Sequence, residues 1–333
     1  MTHSLHLDLG LSAVFAARQW AEPETWLRLT RELGYPWLEF SGDALDPFFS
    51  GDLAYQMQTA RQIRAAAEKY GVRIPNAYTG KATHRFHGLS HPDESVRARM
   101  RDWIMVYMDL ALAMGTDRIG GRWNTIPTEA CADPARYAEA KALIHRQFRE
   151  LAVIAKGKGL AAIYNEQMYI PAEYPWTIES TYEFLEAVNR DSPGVPIFLT
   201  VDTGHMAGMH YGAVGEDLDY RAWLRHFAPV CENVHLQQTT PATSSHWPFT
   251  AAYNAKGHVR VEEVLAAIRQ GHAAWPDNPL SKLMAPVRQT ILVIEVIPGS
   301  TTRPETLLAD LAESARHVRP FVPEGGLEWQ FDS

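Results

Sequence analysis

The chain has 333 residues and carries 31 Lys and Arg against 39 Asp and Glu, a formal net charge of −8. That balance argues against a nucleic-acid partner, whose phosphates are held by clustered basic residues; the two cysteines, Cys131 and Cys231, give no disulfide framework, and no run of about 18 apolar residues offers a bilayer span. The mildly apolar stretch 9–17 has no Lys or Arg before it and is too broken for a secretion signal, so a cytoplasmic protein with no membrane partner is expected.

Residues 5–9 alternate as a strand does, and 23–33 have helical spacing (Trp26, Leu27, Leu29, Leu33) that stops at Gly34. A strand is predicted over 37–40, a long amphipathic helix over 53–70 closed by Gly71, and a strand over 72–78. Pro92, Asp93 and Glu94 open a helix that runs to Met114 and ends at Gly115, with a strand at 117–120 after it. Asp133 and Pro134 start a helix reaching Lys158, followed by a strand at 160–165, a helix at 177–189 and an apolar strand at 196–202. The last units are a helix at 219–227, a strand at 233–236, a helix at 261–270, an almost wholly apolar strand at 290–296 and a helix at 304–318.

Eight strand-then-helix units predict an α/β protein with a parallel eight-stranded sheet, closed in this length as a single (β/α)8 TIM barrel domain over 1–333. Residues 239–258 and 273–286 read as inserted loops before and after the seventh helix, the second a loop or a short helix before the last strand. No Gly-x-Gly-x-x-Gly follows a strand and no Walker-type loop occurs, which removes the usual nucleotide reasons for an open doubly wound sheet.

Functional side chains of such barrels sit at the C-terminal ends of strands. Strands five to eight end in Glu166, Asp202, His235 and Glu295, and successive strand ends are neighbours in space. A single charged strand end is often a cap or an ion-pair partner, but four in succession at matching positions point to joint ligation of a metal. Glu295 is the most telling, because it follows the apolar run Ile291 to Ile294, where an unpaired carboxylate would be costly. Three carboxylates and one imidazole suit a divalent metal ion of the harder kind, Mn²⁺ first, with Mg²⁺, Co²⁺ or Zn²⁺ as alternatives. Glu39 and Asn76 end strands two and three and are candidates for binding substrate hydroxyls; Arg122 ends strand four and is a candidate for meeting an anion. His84, His87 and His91 cluster in one loop without metal-ligand spacing.

The segments Asn165-Glu166-Gln167-Met168, Val201-Asp202-Thr203-Gly204-His205-Met206, Val234-His235-Leu236 and Ile294-Glu295-Val296 resemble, in order, the metal-site motifs of the xylose-isomerase-like barrel superfamily. That superfamily includes sugar isomerases, ketose 3-epimerases and the endonuclease IV group. The segment His246-Trp247-Pro248-Phe249-Thr250-Ala251-Ala252-Tyr253-Asn254-Ala255-Lys256-Gly257 is similar to the branch acting in erythritol catabolism, whose members epimerise or racemise tetrulose (erythrulose) phosphates. The resemblance implies an isomerase of carbohydrate metabolism acting on a small ketose or ketose phosphate, and inverting the carbon next to the ketone through an enediolate. It implies that Glu166 and Glu295 are ligands and also the acid and base, that His205 contacts substrate, and that His246, Asn254 and Lys256 hold the phosphate. Inversion needs a base on one face and an acid on the other, and a metal acting as Lewis acid eases loss of the α-proton. A lyase acting on a sugar acid through the same metal site is the alternative, and endonuclease IV-like repair a more distant one, opposed by the acidic balance. A non-catalytic sugar-binding barrel would keep the pocket and tolerate loss of both glutamates. Barrels of this kind present apolar and aromatic faces, and a homo-oligomer is expected.

Overall fold

The computed structural model describes residues 3–331. Strands β1 (His3–Ser12), β2 (Trp37–Ser41), β3 (Ala77–Tyr78), β4 (Arg118–Gly120), β5 (Ala162–Glu166), β6 (Ile197–Asp202), β7 (Asn233–Leu236) and β8 (Gln289–Ile294) pair in parallel with their neighbours. β1 pairs with both β2 and β8, so the ring closes. The helices α1 (Pro23–Glu32), α2 (Leu53–Tyr70), α3 (Glu94–Met114), α4 (Pro134–Lys158), α5 (Ile178–Asn189), α6 (Tyr220–Phe227), α7 (Val261–Ala273) and α8 (Pro304–Val318) follow the strands in turn, which makes a (β/α)8 TIM barrel.

Local chemistry sets the helix ends. Asp52, Asp93 and Asp133 accept hydrogen bonds from first-turn amides of α2, α3 and α4, and the same helices stop at Gly71, Gly115 and Gly159, each left-handed. Outward-facing strand residues such as Leu7, Leu9, Ile163, Leu199 and Leu292 join the helices in one continuous core. Inward-facing ones fill the barrel in two groups, Trp37 with Ile291 and Val293, and Tyr78 with Ala162 and Tyr164. The filling is tight at Gly10, where a Cβ would lie 2.8 Å from Ile291 Cγ2 and 3.3 Å from Trp37 Cβ. Beneath these layers a polar plug closes the floor: Arg118 Nε and the Tyr164 hydroxyl each donate to Glu232 Oε2 at 2.6 Å.

The third strand, the chain's last residues and the two inserted segments add to or refine the sequence expectation. The third strand is Ala77–Tyr78, not 72–78, because Pro75 has no amide to donate and the β2 ladder breaks after an isolated Trp37–Arg73 bridge. A ninth strand, β9 (Leu327–Phe331), runs antiparallel to the lower half of β1 from His3 to Leu7, the stretch that β2, paired only from Gly10 to Ser12, leaves open. The inserted segments 239–258 and 273–286 carry local structure: the first bridges Gln238 to Trp247 and holds a short helix, Ala251–Asn254; the second, expected as a loop or short helix, packs two 3₁₀ turns that bury Trp275 and Leu280. No helix among the described residues is long and apolar enough to cross a membrane.

Candidate metal centre and active site

Strand alternation carries every second side chain into the barrel. Glu166 ends β5, Asp202 ends β6, His235 lies in β7, and Glu295 directly follows β8, its amide donating to Leu236 O on β7. His235 Nδ1 lies 3.1 Å from Glu166 Oε1, 3.4 Å from Glu295 Oε2 and 3.9 Å from Asp202 Oδ2. Bonds of about 2.1 Å to one cation put neighbouring ligand atoms roughly 3.0–3.4 Å apart, close to the first two of these spacings. One atom of each of the four residues lies within 4.8 Å of all the others, and Glu295 Oε2 is buried without a hydrogen-bond partner. The set therefore fits a divalent ion by donor type and by spacing.

Surrounding groups fix these side chains. Glu39 Oε1 lies 3.0 Å from His235 Nε2, and Glu39 Oε2 accepts from Asn233 Nδ2 at 2.5 Å. The Gln237 Nε2 donates to both Asp202 oxygens, at 2.9 and 3.0 Å. His205 points Nδ1 at Gln167 O, 2.9 Å away, which leaves Nε2 facing Asp202 Oδ2 at 3.5 Å. His246 has φ +48°, a left-handed backbone rare for a residue with a Cβ; its amide donates to Gln237 Oε1 at 2.7 Å and its Nδ1 lies 3.3 Å from Glu295 Oε2. Asp202, His205 and His246 also bring one ligand-type atom each within 4.8 Å of one another.

The charges are strongly coupled. Burial opposes ionisation of Glu295, but the neighbouring His235 and His246 outweigh it and hold the carboxyl well below the ordinary range. Glu166 is lowered as well, its burial overcome by the bond from His235 and by His205. Burial raises Asp202 and Glu39. Despite burial, the charges of Glu39 and Glu295 hold the His235 imidazole well above its usual value, and Glu295 does the same for His246.

A cavity of about 310 Å³ opens above the cluster, and Glu166, Glu295, His205 and His246 line it. Several residues anticipated as substrate contacts lie elsewhere. Glu39 and Asn76 are both buried and absent from the lining; Glu39 instead supports His235, because β2 runs two residues further to Ser41, which takes the mouth position. In the same way β3 ends at Tyr78, which lines the cavity in place of Asn76. Arg122 is only 1% exposed and stands behind the wall, donating to Asn124 O at 2.6 Å, with Nε 3.7 Å from Glu173. Asn254 and Lys256 are carried away from the mouth. The short helix Ala251–Asn254 packs toward α8, with Ala251 N donating to Glu313 and Asn254 near His317, while Asn254 Oδ1 accepts from Gln238. Lys256 is exposed, its ammonium 5.9 Å from the Tyr253 ring. Of the three loop histidines, His84 lines the cavity, and His87 and His91 line a separate surface cleft. Lining residues that sequence reasoning missed include Ser12, Ser41 and Tyr78 at strand ends, and Thr79, Lys81, Tyr169, Glu173 and Ser245 on loops. Tyr78 was detectable as the true end of β3; those on loops have no periodic signal.

The model of the family described as "Xylose isomerase-like TIM barrel" matches residues 27–274. The D-erythrulose 1-phosphate 3-epimerase of Brucella abortus (strain 2308) is 27% identical over 275 residues, covering 82% of this chain and 86% of that protein. Among solved structures, a Rhodospirillum rubrum protein assigned as a xylose isomerase superposes with a TM-score of 0.79 at 22% identity, over 94% of this chain and 99% of the other. The D-psicose 3-epimerase of Clostridium cellulolyticum H10, solved with D-tagatose, gives a TM-score of 0.62 at 15% identity, over 94% and 97%. Closed ring, acidic cluster at the C-terminal rim and a family match over most of its length agree: this chain belongs to the xylose isomerase-like TIM barrel family.

Proposed function

We propose that this chain is an isomerase, a metal-dependent epimerase that inverts the carbon beside the ketone of a short ketose, with a tetrulose phosphate as substrate. The reading is carried by one observation: two carboxylates, Glu166 at the end of β5 and Glu295 after β8, line one small cavity and both approach the His235 Nδ1, at 3.1 and 3.4 Å. The relative that epimerises D-erythrulose 1-phosphate at C3 supports the substrate class.

Glu166, Asp202, His235 and Glu295 would hold the ion, with Mn²⁺ the first expectation from an oxygen-rich donor set. A bound divalent cation supplies Lewis-acid polarisation of the ketone and so acidifies the adjacent C–H. The protein does the rest. One of the two glutamates takes the proton from C3 as a carboxylate, the C–H electron pair forms the C2–C3 double bond and the carbonyl pair moves onto the C2 oxygen; the other glutamate, protonated beforehand from solvent, gives its proton to the opposite face of C3 as the carbonyl re-forms. Both must keep one oxygen free for this, which ligation through Glu166 Oε1 and Glu295 Oε2 alone would leave at Glu166 Oε2 and Glu295 Oε1. Asp202, pinned through both oxygens by Gln237, is held for ligation alone. His205, with its Nδ1 committed to Gln167 O, presents Nε2 to the cavity and orients a substrate hydroxyl.

Metal-loaded protein incubated with erythrulose 1-phosphate in D₂O is expected to place deuterium at C3 and to yield the C3 epimer, both read by NMR. Glu166→Gln and Glu295→Gln should each slow exchange by about 10²-fold or more. Exchange that continues at the normal rate in both variants would remove the two-glutamate assignment.

A further inference from the structure

The cavity mouth is electrically lopsided. Its carboxylates, Glu166, Glu173 and Glu295, all follow β5 or β8, and the histidines that face them, His205 and His246, follow β6 and β7. The β1–β3 half supplies hydroxyls (Ser12, Ser41 and Thr79) together with His84 and the ammonium group of Lys81. Lys81 is the one Lys or Arg side chain among the described lining residues. It stands on the loop after β3, and Ser245 stands on the loop after β7, four places away in an eight-stranded ring; the two lie on opposite sides of the mouth.

The loop that carries Lys81 is built to stay put. Asp43 accepts from the amides of Lys81 (2.8 Å) and Ala82 (3.3 Å), Thr83 Oγ1 donates to Gly80 O (2.8 Å), and Thr79 Oγ1 accepts from Arg122 N (3.0 Å). Gly80 is pressed so close to this anchor that a Cβ would fall 2.1 Å from Asp43 Oδ1. The main chain is thus fixed while the lysine side chain reaches from the rim.

A phosphomonoester carries a charge of about −1.5 to −2 at neutral pH. Placed against the β5–β8 side it would meet three carboxylates, one of which, Glu173, already has Arg122 as its cation. A ketose whose reacting carbon lies between Glu166 and Glu295 keeps its far end, in a cavity of about 310 Å³, within reach of the β3 wall. We propose that Lys81, with His84 on the same loop as a hydrogen-bond partner, forms the subsite for the phosphate of a phosphorylated short ketose, and that the lopsided charge sets which end of the substrate enters the acid/base pair. This rests on reading the cavity as a ketose-epimerising site. It gives Lys81 the part that the loop sequence assigned to Lys256.

The test compares erythrulose 1-phosphate with free erythrulose in the wild type, Lys81→Met, Lys81→Arg and Lys256→Met, together with titration of inorganic phosphate by calorimetry. Lys81→Met should raise KM for the phosphorylated sugar about 10- to 100-fold more than KM for the free sugar, the usual worth of a hydrogen bond to a charged group, with an unchanged circular dichroism spectrum and Tm reporting an intact fold. Lys81→Arg should recover part of the loss, Lys256→Met should behave as wild type, and phosphate binding should vanish only in Lys81→Met. A KM for the phosphorylated sugar unmoved by Lys81→Met, or moved equally for both sugars, overturns the subsite. A wild type that turns over neither sugar, yet binds phosphate through Lys81, overturns the epimerase reading and keeps the anion subsite.

Discussion

His235 is gripped through both ring nitrogens, by Glu39 at Nε2 and by Glu166 and Glu295 at Nδ1. A carboxylate behind a ligand imidazole fixes the tautomer and the ring plane and makes the forward nitrogen a better donor. Glu39→Ala should therefore weaken metal affinity about 10- to 100-fold, with partial recovery in Glu39→Gln, measured by competition against a fluorescent chelator. Equal affinity in wild type and Glu39→Ala would deny Glu39 this part. The four carboxylate and imidazole positions were legible in the sequence because they fall at or near the C-terminal ends of four successive predicted strands, where functional side chains of such barrels gather. Glu39 shows the limit of that logic. It too falls at a predicted strand end, but its strand continues by two residues, one full period, and that shift turns a mouth residue into one buried behind a ligand.

At the scale of elements, β1 is the strand on which closure depends, since it bonds to β2, β8 and β9. Gly10 lets Ile291 and Trp37 meet across it, so Gly10→Ala should cost about 1–3 kcal/mol through overpacking, read as a lower urea midpoint with an unchanged slope. An unchanged midpoint would mean that the barrel interior yields more easily than this packing suggests. The helices were legible because Asp caps and terminal glycines mark their ends within the chain itself. The short helix Ala251–Asn254 was not: one turn has no periodicity, and its direction is set by Thr250, Glu313 and His317, two of them some sixty residues away. β9 was missed for a similar reason. Its five residues acquire a partner only when β1 leaves its lower edge open.

For the whole molecule, the sharpest condition-dependent consequence lies in two histidines buried neutral. Burial, aided by the charge of His3, pushes His272 down to about 3, and burial pushes His145 down to about 4. His272 sits where α7 meets β1 and β9, its Nδ1 3.1 Å from His3 Nε2 and its ring stacked on Phe331. With folded values below the unfolded one near 6.5, the unfolded chain binds more protons, so stability falls as pH drops below about 6.5. His235 and His246 are raised and act in the opposite sense only above that value. Between pH 6 and pH 5 each depressed histidine should remove about 1 kcal/mol, seen as a falling Tm in metal-saturated protein, and His272→Gln should flatten the decline. A Tm that holds or rises over that interval would contradict the assignment.

The antiparallel pairing of β9 with the first residues of β1 places His3 opposite Phe331, at the floor of the barrel and a full strand length from the rim. The cavity mouth lies at the other end of the barrel from this paired edge, so a ligand or antibody clasping His3 and Phe331, whose rings stack 4.9 Å apart, leaves the mouth open.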